Sequence, residues 1–518
     1  MSKTASKGLY ELIKSMSKSE KRYFKVLSSR HTIGDENNYI RLFDFIEGMD
    51  EYDESKVFSH FDGEAFLNKF SITKNRLYES VMKSLVAFHS NSSVDAQIYR
   101  FLHASEVLYK KSLYDHASKQ LRSAERLARK NERLNLLLEI EKQKKKIIET
   151  QGYARVSTQE IDLMISENHS VCCETDLNNQ LWGIKSKLFI MINGRGKVRC
   201  QNDVSKFKKL KSELDHLKIP EKISFDNKYL YNHLLSAYYF AILDKEQSLK
   251  YLYSNFELLK SHPSKIKEEP NIYASVLSNI IHLESHLNNY KNTIKLLNEL
   301  KTFTSKYKIK STEDLDIKIF SSVYSTELML LINQGEFDKA VNLTGVIEEG
   351  LRLHNSSITP SRKAYLSFKI AIAYFGVNEL NKSLEWLNKI LNDQELDETE
   401  DIYSFAQIVN LLVHFELNND RLLPYAIKNT QRFLKKRNRT YQFETVFLKS
   451  LSKICKSADR FEQEDILEDI VDDLKQIKTD PFESVALEYF NFHNWATAKL
   501  KGLPLKEVQR SDYLSSLK

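Results

Sequence analysis

One short phrase recurs along the chain at a nearly constant interval: a polar turn, then an aromatic residue or leucine that opens an amphipathic helix. Its clearest copies are KKSLYDHASKQLRSAERLA from Lys110, LNNYKNTIKLLNELKTF from Leu287, NQGEFDKAVNLTGVIEEGL from Asn333 and VNELNKSLEWLNKILN from Val377. The opening residues Tyr290, Phe337, Leu380 and Leu422 stand 47, 43 and 42 positions apart, and Tyr114 lies 176 positions before Tyr290, four steps of 44. At the three skipped marks stand further helix starts: STQEIDLMI from Ser157, QNDVSKFKKLKSEL from Gln201 and DKEQSLKYLYSNFELL from Asp244. Within a copy the apolar residues keep helical spacing, as in Tyr290, Ile294, Leu297, Leu300 and Phe303. A fixed period of this length marks a stacked array. One two-helix unit cannot bury its apolar stripe alone, so neighbours join their stripes into a continuous core.

Between the marks lies a second kind of helix, more hydrophobic all round, as a helix packed on both sides must be. Examples are NKYLYNHLLSAYYFAIL from Asn227, NIYASVLSNIIHLESHL from Asn271 and RKAYLSFKIAIAYF from Arg362. Pro270, Pro360 and Pro481 stand at or near first turns, where proline costs no hydrogen bond. With 13 glycines and 7 prolines in 518 residues, the chain holds far fewer turn-formers than the roughly 12% usual for the two together. The spacing predicts nine hairpins from about Ile98 to about Ile477 and one last helix from Pro481.

The best copies resemble the tetratricopeptide repeat, which sets a small residue in the turn and then an aromatic, an alanine, a large apolar residue and another alanine. The first copy supplies Ser112, Tyr114, Ala117, Leu121 and Ala124. The next good one has Gly335, Phe337 and Ala340, then Thr344 and Ile347; another keeps Tyr374, Asn378, Leu380, Ser383, Leu387 and Ile390. The unit here is about 44 residues, longer than the family's 34. The resemblance implies an all-α fold, a right-handed superhelix (α-solenoid) of about nine hairpins. The expected divisions are a separate helical N-terminal unit over 1–92, the array over 93–480, and a capping helix and tail over 481–518. It also implies a groove lined by the first helix of each hairpin, open to a protein or peptide partner. In this register Tyr99, Leu102, Glu106 and Tyr109 line it in the first unit, Asn279, His282 and His286 before Tyr290, Ser325 and Met329 in the next, and Phe368, Ile372 and Phe375 before Leu380. The family's Lys and Asn clamp for C-terminal carboxylates is not matched at these positions.

Residues 1 to about 92 depart from the period and end at the polar break HSNSSVD. Within them LNKFSITKNRLYESVMKSL from Leu67 has the look of a helix-turn-helix, with Phe70, Ser71 and Ile72 in the turn and Thr73 capping the second helix. Leu77, Val81 and Leu85 would face inward, and Lys74, Asn75 and Arg76 would be the candidate DNA readers. Over residues 1–90 fourteen basic side chains meet thirteen acidic ones, a balance that offers phosphates little attraction. A role in capping the array is therefore the expected one. A transcriptional regulator with a repeat-based sensor is the alternative.

Chemistry is sparse. The stretch Asn193, Gly194, Arg195, Gly196 and Lys197 lacks the spacing of a phosphate-binding loop and reads as a connection between hairpins. In His282-Leu283-Glu284-Ser285-His286 the two histidines share a helix face. The glutamate sits two places after the first histidine instead of directly after it, turned about 200° around the axis, so no zinc-protease site is expected. No metal, cofactor or catalytic residue is predicted. Cys172, Cys173, Cys200 and Cys455 form neither a CxxC pair nor a disulfide framework, and read as reduced thiols of a cytoplasmic protein. Basic runs at Lys142–Lys146, Lys206–Lys211 and Lys435–Arg439 read as solvated faces in a chain of net charge +7. No apolar run reaches bilayer length, so membrane insertion is not expected. These features favour a non-catalytic binding scaffold or adaptor.

Overall fold

A computed structural model describes residues 7–29, 38–154, 156–195, 198, 201–354, 357–397, 401–437, 441–457 and 459–517. Among them the chain forms 26 α-helices and no strand. It divides into two compact units, Met1–Thr175 and Asp176–Lys518.

The first unit opens with α1 (Gly8–Ser15), α2 (Lys18–Ser29), α3 (Asn38–Gly48), α4 (Glu54–His60) and α5 (Phe70–Phe88). They close a core of their own, with Ile13, Phe24, Leu42, Phe43, Ile46, Leu77 and Val81 fully buried. Asp53 caps α4 by accepting from the Ser55 backbone N–H, which satisfies a donor that the helix leaves open. A second core follows in α6 (Val94–Lys110), α7 (Tyr114–Lys130), α8 (Leu134–Thr150) and the start of α9 (Thr158–Arg195). In α7 Ala117, Leu121, Ala124 and Ala128 form the buried stripe.

Two separate helices were expected between Ser157 and Gln201; α9 is instead one helix of 38 residues. No proline interrupts that stretch, so nothing in the backbone forces a stop. Its second half packs Leu177, Leu181, Ile184 and Leu188 against α10 (Gln201–Asp215) through Phe207 and Leu210. The expected connection at 193–197 is corrected accordingly: 193–195 belong to the end of α9, and 196–197 lie outside the described residues.

The second unit continues through α11 (Phe225–Ala241), α12 (Lys245–Lys260), the short α13 (Pro263–Glu268), α14 (Pro270–His286), α15 (Tyr290–Tyr307) and α16 (Glu313–Asn333). Then come α17 (Phe337–Asn342), α18 (Thr344–Leu353), α19 (Pro360–Gly376), α20 (Leu380–Leu391), α21 (Asp401–Glu416), α22 (Leu423–Lys436), α23 (Gln442–Ile454) and α24 (Arg460–Thr479). The helix starts at Tyr114, Thr158, Gln201, Lys245, Tyr290, Phe337, Leu380 and Leu423 fall on or within one residue of the period read from the sequence.

One turn is used repeatedly. Between first and second helices a residue adopts the left-handed conformation: Ser112, Leu243, Asn288, Gly335, Asn378 and Asn418. The next residue's N–H then reaches back to a carbonyl five positions earlier, as Asp244 does to Tyr239 and Asn289 to Glu284, each at 2.9 Å. This closes carbonyls that the ending helix leaves open. Three residues into the second helix stands a small side chain at the tightest helix contact. Ala117, Ser248, Thr293, Ala340 and Ser383 are all at most 1% exposed. The two serines donate into the facing helix, Ser248 Oγ to the Ser236 carbonyl and Ser383 Oγ to that of Ala371, each at 2.8 Å.

The expected single last helix is replaced by a 3-10 turn at Glu483–Glu488, then α25 (Phe492–Lys501) and α26 (Leu505–Ser516). Gly502 makes the same left-handed turn between them, with the Leu503 N–H on the Ala498 carbonyl at 2.9 Å. The last two helices thus form a further hairpin, which packs on α24 and α16.

Candidate functional site: the face of the first helices

The first helices of the second unit present a row of aromatic and small side chains, and a long part of that row is already occupied by the chain's own C-terminal segment. Glu483 accepts from the Gln442 and Phe443 backbone N–H groups at 3.1 and 2.9 Å, capping α23. Tyr489 stacks on Phe405 of α21 with ring centroids 4.2 Å apart and meets Phe368 of α19 edge-on at 6.4 Å. Phe490 stands perpendicular to Phe375 at 5.6 Å. Phe492 lies against Phe443 and Phe447 of α23. Trp495 packs on Phe415 and Phe447, and its Nε1 donates to Glu416 at 2.8 Å. Farther along, α26 returns to α16, where Gln509 Nε2 donates to the Asn333 carbonyl at 3.2 Å and Tyr513 packs on Tyr290.

Beneath this segment lies Lys369, 4% exposed, whose Nζ donates to the Tyr489 carbonyl at 3.3 Å. Burial pushes its pKa down to about 8, against the opposing pull of Glu488, because an ammonium is costly to hold in an apolar surround.

The groove residues expected in α19 are therefore not open to a ligand. Phe368, Ile372 and Phe375 are buried, the first and last directly beneath Tyr489 and Phe490. Met329 is also buried, its sulfur accepting from Ser285 Oγ at 3.6 Å. Ser325 turns its hydroxyl onto the Ser322 carbonyl. His286 and Met329 border a cavity closed by Lys245, Glu488 and Gln509.

Asn279 and His282 are placed differently. They line a cavity of about 220 Å³ with Phe189, His233 and Phe240 that the C-terminal segment does not enter. The His282 and His286 rings touch at 4.4 Å, an edge-to-face pair. Among the described residues no three His, Cys, Asp or Glu side chains gather as a metal site would require. His233, sandwiched between Phe189 and Tyr229, has its pKa pushed down to about 4 by burial, helped by the charge of Lys185, so it is neutral at neutral pH. Phe189 and His233 were missed from sequence, although each lies on a helix of the same period; a lone ring on an apolar helix carries no local signal of what it faces.

In the first unit Tyr99 is exposed and Leu102 is buried. Glu106 pairs with Lys110 at 2.6 Å, and Tyr109 exchanges a hydrogen bond with Thr150 at 2.7 Å beneath Lys146. Glu106 and Tyr109 border one shallow cavity with Lys142 and Lys146; Tyr99 and Leu102 are not among its walls.

The helix-turn-helix expectation is corrected. Phe70, Ser71 and Ile72 form the first turn of α5, not a connecting turn, and the element before it is a five-residue 3-10 turn, Ala65–Lys69. Thr73 is no cap: its hydroxyl points back to the Phe66 and Lys69 carbonyls. Lys74 is paired with Glu54 and lies over the rings of Tyr52 and Phe70, so it cannot reach a base without breaking that contact. Asn75 and Arg76 are exposed, and Leu77 and Val81 face inward as expected.

Cys172 and Cys173 are exposed thiols, and Cys455 is a half-buried one whose pKa burial pushes up to about 11; Cys200 lies outside the described residues. Among the described residues no helix is long and apolar enough to cross a membrane.

No family model matches the chain, and no curated protein matches it. Among solved structures, the apo form of the quorum sensor NprR from B. thuringiensis is similar at a TM-score of 0.40 and 12% identity, over 82% of this chain and 100% of that one. A likeness so distant carries no argument about what this chain does.

Proposed function

We propose that the protein is a non-catalytic scaffold that holds a peptide or protein segment on the first-helix face of its second unit, at α11 and α14. The observation that carries this reading is the neighbouring stretch of the same face. There residues 482–516 are held by inserted rings, by a lysine on a backbone carbonyl and by a carboxylate on a helix N-terminus. A surface that seats one segment of polypeptide in this way has the chemistry to seat another where it is left uncovered.

Magnitudes assign the working stretch. Truncating a buried Phe or Trp costs about 3–5 kcal/mol, so withdrawing Phe490, Phe492 and Trp495 together costs on the order of 10 kcal/mol. A micromolar ligand supplies about 8 kcal/mol. The C-terminal segment is therefore a fixed part of the fold, and a partner takes the open stretch bearing Asn279 and His282.

The test is selection from a displayed random-peptide library on the full chain. Peptides enriched on the wild type are expected to lose at least about tenfold in affinity, about 1.4 kcal/mol, for Asn279→Glu combined with His282→Glu. Enrichment unchanged by that double substitution would sink the reading.

A further inference from the structure

The cavity left uncovered lies between α9, α11, α12 and α14 and is walled by rings. Phe189 lies nearly parallel to His233 with centroids 5.6 Å apart, and His233 continues onto Tyr229 at 5.9 Å. A second set joins Phe240 of α11 to His282 of α14 at 6.2 Å. Among the described residues no Asp, Glu, Lys or Arg lines it. The cavity beside the α25–α26 hairpin, by contrast, is bordered by Asp338, Glu416, Lys499 and Lys506. On the wall Ser248 Oγ already gives its hydrogen to the Ser236 carbonyl, so that hydroxyl has no donor left for an occupant. Rings and neutral polar groups make up most of this lining, and against them an ion loses its water without gaining an equal partner.

Size narrows the occupant further. An engineered apolar cavity of about 150 Å³ takes one benzene. The space here, about 220 Å³, admits one phenol or indole ring and falls short of the roughly 300–1,000 Å³ of sites for drug-sized ligands and cofactors. Farther along, the first helices α19 and α21 already seat rings on rings, Tyr489 on Phe405 and Phe490 on Phe375.

We propose that this cavity receives one uncharged aromatic side chain of the polypeptide segment that the scaffold binds, on the same row of first helices that seats the chain's own Tyr489 and Phe490 farther along. The proposal rests on the scaffold reading and names what that partner must carry. The ring supplies a buried anchor, and the edge-on and stacked contacts add about 0.5–1.5 kcal/mol each beyond the area they cover.

The experiment titrates the full chain with N-acetyl-tryptophan amide by ligand-observed NMR, alongside the peptide selection. Ala237→Leu fills the cavity and Phe189→Ala removes one wall; because they act in opposite directions, either one decides should the other fail to fold. The probe is expected to bind the wild type with a Kd of about a millimolar or better and each variant about tenfold more weakly. Selected peptides are expected to carry an aromatic residue and to be displaced by the probe. Undiminished probe binding in the folded variants, or selected peptides with no aromatic requirement, overturns the cavity assignment and leaves the scaffold standing. Probe binding that depends on both positions while no peptide is ever selected points to a free aromatic molecule, and overturns the scaffold reading and the proposal together.

Discussion

Gly335 occupies a position where the other repeats tolerate a side chain, and replacing it with alanine separates two physical causes. The equivalent turns hold Ser112, Leu243, Asn288, Asn378 and Asn418 at φ between 54° and 69°, and Gly335 itself stands at 74°. Left-handed backbone alone costs a non-glycine residue about 1–2 kcal/mol, a cost that five of these six turns already bear. At Gly335 there is a second obstacle: an added Cβ would lie 2.6 Å from the Lys506 carbonyl oxygen and 3.0 Å from the Arg510 nitrogen. Both are main-chain atoms of α26, so no rotamer change relieves the overlap and the helix must withdraw. Withdrawal loosens the Gln509 bond to Asn333 and the Tyr290–Tyr513 contact, worth about 0.5–1.5 kcal/mol each. Gly335→Ala should thus destabilise α26 by about 2 kcal/mol more than Asn418→Ala, a substitution at an exposed residue in the same conformation. A chain of two units need not unfold in one step, so the deciding assay is hydrogen exchange of the amides over 505–516. These should exchange about 30-fold faster in Gly335→Ala and unchanged in Asn418→Ala, 2 kcal/mol corresponding to about that factor. Equal exchange in the two variants would refute the close-approach argument.

Trp495→Ala should cost about 3–5 kcal/mol of stability, since the ring is 2% exposed and its N–H satisfies Glu416; a loss under about 1 kcal/mol in urea unfolding would mean that the segment is only loosely seated. Lys369→Met addresses pH. The folded chain holds this lysine at about 8, below its ordinary 10.5, so between those values the unfolded chain binds the extra proton and stability contributed here rises with pH. Below about pH 8 the charged, buried amine costs the fold on the order of 3 kcal/mol, and above about 10.5 that cost is gone. The difference in stability between wild type and Lys369→Met should therefore shrink as pH climbs from 8 to 10.5; a difference that stays constant across that window would show that burial does not hold the amine down.

Much of the fold was legible because its signals are local. A polar turn, an opening Tyr, Phe or Leu and a small residue three places on mark the second helices at Tyr114, Tyr290, Phe337 and Leu380, and these starts were read to within a residue. The first helices, apolar on several sides, were legible for the same reason. What misled at Leu67 was also local: a run such as FSIT accommodates a turn or a helix equally, and the choice of helix from Phe70 follows from Phe70 being seated in the first core and Lys74 being drawn to Glu54. Likewise nothing near Asp176 requires a break or forbids one, and α9 runs on.

The sequence by itself therefore determined the all-helical composition and the period, because backbone hydrogen bonding and apolar spacing act within a few residues. The tertiary structure decided which stretch of the first-helix face is closed and which is open. Phe368 and Phe375 have the same helical spacing whether a partner, water or Tyr489 and Phe490 lies against them. The contact that buries them joins residues more than a hundred positions apart, and only the return of the chain across its own repeats brings those rings together.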